Sequence, residues 1–333
     1  MTRWREIGVL AGGVAVFSLL CWRFGLSPFA AALAQVRPVL LAGYFGLAVL
    51  VLCGYTARWF VISRLLGGRS PFARLLAARL AGDAVGSLLP GAKIGGDPVR
   101  VALVADDGTD GPRASAAVAI DRTLELLGNT LVVISYVTAF TIVSTSDASR
   151  RTAFVLLAVM AVLLASLVAL LVLLRKGRRP LSAPFEARAK ARGGRLARWI
   201  ALARETEDHI ISFFQRDPRV FAGGLALTLV IELTIIAEYY VLLAAFGVHL
   251  PLATVLMATV MSGLAHALPT PAGIGAMEGA QVTLFAIAAG KPELGFVVGM
   301  ILRLHETFWI GLGMAVIVAR GLTWNRLLRV TTS

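Results

Sequence analysis

Six long apolar runs, at 4–26, 38–62, 117–143, 152–174, 221–246 and 294–319, alternate along this chain with short clusters of arginine and lysine. Each run reaches the roughly 20 residues that a helix needs to cross a hydrocarbon layer about 30 Å thick. Two further segments, 80–105 and 252–290, are apolar but broken in the middle by proline and glycine. The first break reads Gly86-Ser87-Leu88-Leu89-Pro90-Gly91-Ala92-Lys93-Ile94-Gly95-Gly96-Asp97-Pro98. The second reads Ala267-Leu268-Pro269-Thr270-Pro271-Ala272-Gly273-Ile274-Gly275-Ala276-Met277-Glu278. Irregular backbone at membrane depth survives only where protein or a water-filled cavity satisfies its polar groups. The pattern therefore predicts an all-α integral membrane protein with about six spanning helices and two opposed re-entrant helical hairpins.

Charge sets the orientation. Arg3 and Arg5 precede the first run, Arg64, Arg69, Arg74 and Arg79 follow the second, and twelve Lys/Arg fill residues 175–219. All of these fall on one side if the two broken segments do not cross. The positive-inside rule makes that side cytoplasmic and places both termini there. The first hairpin then opens to the cytoplasm and the second to the outside. Ala32-Leu33-Ala34 also resembles a signal-peptide cleavage site, but the preceding apolar run has full span length. Within 175–219, Leu196, Trp199, Ile200, Ala203, Ile210, Phe213 and Phe214 recur at helical spacing opposite a charged face. An interfacial amphipathic helix is expected there, with a solvated loop helix as the alternative.

Composition excludes a soluble enzyme or a nucleic-acid binder. The chain is 58% hydrophobic and 15% charged, with a net charge of +13, against about 45–50% apolar and about 25% charged in soluble domains. Its basic residues lie between apolar runs rather than on one soluble face. Cys21 and Cys53 fall inside runs and are expected to be free thiols. Two of the four histidines, His266 and His305, lie where they could approach each other, but two ligands without a carboxylate cluster make a weak metal site. No metal and no cofactor are expected.

The halves repeat. Arg122 follows Ile94-Gly95 and Arg303 follows Ile274-Gly275 at nearly the same distance. Each arginine precedes an acid by three positions, as Arg122-x-x-Glu125 and Arg303-x-x-Glu306, and an acid follows each Ile-Gly, as Asp97 and Glu278. Three full runs separate the hairpins, so the second unit is inverted. The chain is a single membrane domain over 1–333. Its first repeat core covers 64–174 with the hairpin 80–105, its basic cytoplasmic loop covers 175–219, and its second repeat core covers 220–320 with the hairpin 252–290. Inverted repeats in transporters place broken helices near the midplane, with half-helix N-termini facing anionic groups.

Charges in a span cost about 2.5–3.5 kcal/mol each even on a lenient scale, which makes them functional candidates. Arg122 and Arg303 offer planar, bidentate donation to a phosphodiester, or form internal ion pairs with Glu125 and Glu306. Those two acids would orient the arginines or carry protons. Lys93 and Arg100 flank the first break and would attract an anionic head group, although Arg100 also suits a snorkelling position. Asp97 and Glu278 would cap half-helices or meet a head-group amine. Gly95, Gly96, Gly273 and Gly275 would expose backbone amides to the ligand.

The run Leu89-Pro90-Gly91-x-x-Ile94-Gly95-Gly96-Asp97-x-x-Arg100, with Asp121-Arg122 downstream, resembles a signature of a known family. So does Pro271-x-Gly273-Ile274-Gly275-x-x-Glu278 followed by Arg303. This is the flippase-like transmembrane family named after the membrane domain of lysylphosphatidylglycerol synthase. The Gly95-Gly96-Asp97 variant also resembles members associated with hopanoid lipid biosynthesis. The resemblance implies a domain that moves or presents phospholipid, glycolipid or hopanoid-type lipids across the bacterial inner membrane. Its partners would be membrane lipids with anionic head groups, and a cytoplasmic lipid-modifying enzyme is a further candidate. The chain ends at Ser333 with no room for the soluble catalytic domain of the named synthases, so aminoacyl transfer by this chain alone is not expected. A head-group transferase and a non-catalytic docking partner are the alternatives to a transporter.

Overall fold

The computed structural model describes residues 14–89, 94–105, 109–143, 147–186, 194–268 and 270–320. Among them all regular structure is helical, with no strand. The helices are α1 (Val14–Phe24), α2 (Ser27–Ala34), α3 (Pro38–Leu65), α4 (Phe72–Leu88), α5 (Asp97–Ala105), α6 (Gly111–Val143), α7 (Asp147–Arg175), α8 (Gly194–Arg216), α9 (Pro218–Ala245), α10 (Leu252–Ala267), α11 (Ala276–Ala289) and α12 (Pro292–Ala319). Short 3₁₀ turns at Ile94–Gly96 and Pro271–Gly273 precede α5 and α11.

Among the described residues four helices are long and apolar enough to cross a membrane: α3, residues Ala153–Arg175 of α7, α9 and α12. The first predicted span is different. Its helix α1 stops at Phe24, where Gly25 takes φ +68° and α2 departs at 78° with a proline in its first turn. Counted as one broken span, this pair raises the number to five. The predicted 117–143 run lies within α6, a single helix of 33 residues. Its N-terminal half carries Arg113, Asp121, Arg122 and Glu125, while residues 126–143 hold no charged side chain.

The surface of the long helices shows what solvent they need. On α7, Val155 and Val162 are 66% and 67% exposed, and on α9 Leu233 is 61% exposed. Contiguous apolar surface of this kind is not left in water by a folded soluble protein. Lipid removes it from water at no cost in packing, and the chain is a multi-pass membrane protein.

The described residues form two compact units. The first draws on segments within Met1–Leu52, Ala77–Arg100 and Leu233–Ser333, the second on Cys53–Leu76 and Val101–Glu232. Each unit therefore takes segments that are far apart in the chain. In the first unit α12 packs on α11 and α2, and α10 packs on α11. Phe285, Phe296, Val298 and Ile301 are fully buried in its core, and Phe24 stacks on Phe296 with ring centroids 5.5 Å apart. Gly295 and Gly299 let α12 lie directly against the backbone of α11 at Gln281 and Glu278. In the second unit α6 packs on α7 and α8.

Helix α8 lies within the basic segment 175–219, and its apolar face divides. Ile210, Phe213 and Phe214 are buried within the second unit, whereas Leu196 and Trp199 are exposed. Glu207 explains the burial of the C-terminal half. It accepts bonds from the backbone N–H groups of Leu181 and Ser182 at 2.7 and 2.9 Å, tying α8 to the segment after α7.

Candidate functional site

Both breaks form where proline and glycine interrupt the apolar pattern, and both belong to the first unit. At the second break α10 ends at Ala267, and the chain turns through Ala272, Gly273 and Gly275 at φ +51°, +60° and +76°. Glycine adopts this left-handed region readily, whereas alanine does so at a cost. The backbone at Ala272 is therefore held there by its surroundings. What holds it is Arg303 of α12. Its Nη1 donates to the Ala272 carbonyl, and its Nη2 donates to the Gly273 carbonyl at 3.1 Å.

The rest of the guanidinium faces two carboxylates. Nε donates to Glu278 Oε1 at 2.7 Å and Nη2 to Glu278 Oε2 at 3.2 Å, while Nη1 reaches Glu306 Oε2 at 3.1 Å. A guanidinium has five N–H donors in one plane, and this geometry gives all five an acceptor. Glu278 is fully buried. Its Oε2 also accepts the Gly275 N–H at 3.0 Å, so it caps α11, as one of its two sequence readings expects. One arginine thus joins the broken backbone, the first turn of α11 and the middle of α12.

A histidine extends the set. His266, in the last turn of α10, places Nδ1 2.7 Å from the Ser262 carbonyl oxygen and Nε2 2.6 Å from Glu306 Oε1. His305, one position before Glu306, meets the Tyr44 hydroxyl at 2.6 Å and has Glu238 at 3.7 Å. Trp309 donates its indole N–H to the same Tyr44 hydroxyl at 3.0 Å. The two histidines therefore have separate partners, a carboxylate for His266 and a phenol for His305. Among the described residues no cluster of three or more His, Cys, Asp or Glu is placed to hold a metal ion.

At the first break backbone lies directly against backbone. Gly96 lies so close to Gly82 of α4 that a Cβ there would strike the Gly82 carbonyl. The returning chain is thereby laid on α4. Asp97 opens α5, and Arg100 bonds to it at 3.4 Å. Arg100 is only 1% exposed, with its stem over Gly82. Asp83 pairs with Arg79 at 3.7 Å. Lys93 lies outside the described residues.

In the second unit Arg122 donates to Glu125 at 2.8 Å, so both Arg-x-x-Glu pairs close as their i,i+3 spacing predicts. A larger network stands beside this pair. Arg58 of α3 donates through Nε to Asp121 Oδ1 at 2.8 Å, through Nη1 to Thr228 of α9 at 2.7 Å, and through Nη2 to the Asp121 carbonyl at 3.0 Å. Glu125 lies 3.7 Å from the same guanidinium. Arg58 and Asp121 are 2% and 0% exposed. Glu232 accepts the Tyr55 hydroxyl at 3.0 Å. Sequence reasoning assigned no role to Arg58, although a charge inside the 38–62 run was a visible signal. It also passed over Tyr44, which carries no such signal.

The model of the lysylphosphatidylglycerol synthase TM region matches residues 6–315. Two UPF0104 membrane proteins of Methanothermobacter thermautotrophicus are similar along most of their length. One is 24% identical over 325 residues, covering 91% of each chain. The other is 26% identical over 301 residues, covering 85% of this chain and 83% of its own.

Proposed function

The chain belongs to the lysylphosphatidylglycerol synthase TM region family, and from that premise we propose that it is a flippase-like lipid transporter of the cytoplasmic membrane. It moves or presents a lipid with an anionic head group, without covalent change to the lipid. Its acyl or prenyl chains stay in the bilayer while the head group enters a polar site. Six spans and two re-entrant hairpins form inverted repeats in this reading, with both termini cytoplasmic. Residues 126–143 of α6 and the bent pair α1–α2 complete the six.

One observation carries the reading. An apolar membrane protein concentrates Arg303, Glu278, Glu306 and His266 at a helix break, with Glu278 fully buried. Buried charge and irregular backbone are each costly in lipid, and in transporters they occur together where a polar substrate passes. Arg303 is the anion contact, and its Nη1 exchanges Glu306 for the head group. Gly273 and Gly275 shape the break, and Glu278 keeps the guanidinium in place throughout. Arg122 and Glu125 are the second candidate pair, in the second unit.

Proteoliposomes carrying fluorescent phosphatidylglycerol or phosphatidylcholine test this. Wild type is expected to carry the anionic probe between leaflets faster than protein-free vesicles, and Glu306→Gln to slow it by about tenfold, the equivalent of some 1.4 kcal/mol in the barrier. Rates equal to those of empty vesicles would sink the reading, as would a covalently altered lipid on chromatography.

A further inference from the structure

We propose that His266 and Glu306 form a proton-binding site that governs whether Arg303 can hold an anion. The coupling half of this rests on the transport reading above, whereas the proton site itself does not. The argument starts from hydrogen-bond roles. His266 Nδ1 faces the Ser262 carbonyl at 2.7 Å. A carbonyl oxygen only accepts, so Nδ1 carries a proton. Nε2 faces Glu306 Oε1 at 2.6 Å, and an ionised carboxylate also only accepts. A hydrogen bond across that gap needs one more proton, on the nitrogen or on the oxygen. The pair therefore holds one proton beyond those of a neutral imidazole and an ionised glutamate.

That proton decides the local charge. With it, Arg303, Glu278, Glu306 and His266 are neutral in sum. Without it, they carry one negative charge beside the guanidinium. Other groups face the pair from each neighbouring helix. Arg303 and His305 are on α12, Glu278 is on α11, Glu238 and Tyr239 are on α9, and Tyr44 is on α3. Arg303 is bonded directly to Glu306, through Oε2 at 3.1 Å.

The exchange follows from this geometry. When an anion displaces Glu306 from Nη1 of Arg303, the proton moves from His266 Nε2 to Glu306 Oε1. The N–H bond breaks, the O–H bond forms, and no carboxylate is left buried without its cation. Subsequent loss of the proton restores the Glu306 carboxylate, which retakes Nη1 and expels the anion. One proton is thereby released for each head group expelled, and the pair rebinds one from water before the next is admitted.

The test uses protein labelled with ¹⁵N at histidine, in nanodiscs of phosphatidylcholine, over about pH 5 to about pH 9. The signal absent from His266→Asn identifies His266. It should show Nδ1 protonated throughout and a proton at Nε2 that is released within the range. In Glu306→Gln, with size-exclusion behaviour unchanged, that release step should vanish, and proton release per chain should fall by one. Adding phosphatidylglycerol should move the wild-type step to higher pH. A His266 signal indifferent to Glu306→Gln, or showing no release, would overturn the proton site and leave the transport reading standing. A release step that phosphatidylglycerol does not move would overturn the coupling, and the proteoliposome rates then judge the transport reading separately.

Discussion

Alanine at Arg303 should lower the stability of the first unit by about 3–5 kcal/mol, the cost of leaving a buried charge without its partner. Glu278 has no exposed surface and receives two of the five bonds that the guanidinium makes. Among the described residues its other bond is from the Gly275 amide, which cannot neutralise it. The carbonyls of Ala272 and Gly273 lose their donors as well, which leaves the Gly273 N–H bond to the Thr270 carbonyl to hold the turn across Ala272. Lysine should recover only a part, because an ammonium is a point charge that cannot serve both carboxylates and both carbonyls from one plane. Arg303→Ala combined with Glu278→Ala should be less damaging than the single change, since the stranded charge goes too. The measurement is unfolding in mixed micelles under increasing denaturing detergent, for the two single variants and the double. Equal stability of Arg303→Ala and wild type would mean that the guanidinium contributes nothing to closing the break.

Arg58→Ala should cost the second unit a similar amount, again about 3–5 kcal/mol. Here Asp121, 0% exposed, loses the Arg58 guanidinium, and Thr228 loses its donor. The arginine stem is also lost from beside Gly224, and the guanidinium from over the Tyr55 ring, 5.0 Å from its centroid. Asp121→Asn should be milder, because the amide oxygen still accepts from Nε and Glu125 lies close enough to balance the guanidinium. A double-mutant cycle over Arg58 and Asp121 isolates the pair, and a coupling well above the 0.5 kcal/mol or so at which distant sites add is expected. Additive effects would show two residues stabilised by other neighbours.

Much of this was legible in the amino-acid order, and the reasons are physical. Helix length and apolarity are local properties, so α3, the apolar part of α7, α9 and α12 emerged near their predicted bounds. Proline and glycine disrupt helices locally as well, so both breaks formed where expected. The i,i+3 pairs Arg122–Glu125 and Arg303–Glu306 follow from helix geometry alone. The contacts that build the site are of another kind. Arg303 meets Glu278, His266 meets Glu306, and Arg58 meets Asp121 only after separate helices have packed. No periodicity encodes which helix faces become neighbours. The bend between α1 and α2 was signalled by Gly25 and Pro28, yet the apolar run conceals it. In α8 the same heptad-like pattern serves burial at one end and exposure at the other, because Glu207 anchors only the C-terminal half.

The central claim is that the broken helix around Arg303 holds an anionic lipid head group. Native mass spectrometry with lipid identification, on protein released gently from membranes, tests it most directly, with wild type compared to Arg303→Lys and Glu306→Gln. The account predicts one defined anionic lipid retained by wild type and lost from Arg303→Lys, while wild type and both variants remain folded. Bulk membrane lipid bound equally by all three would contradict it and leave Arg303 as a structural clasp.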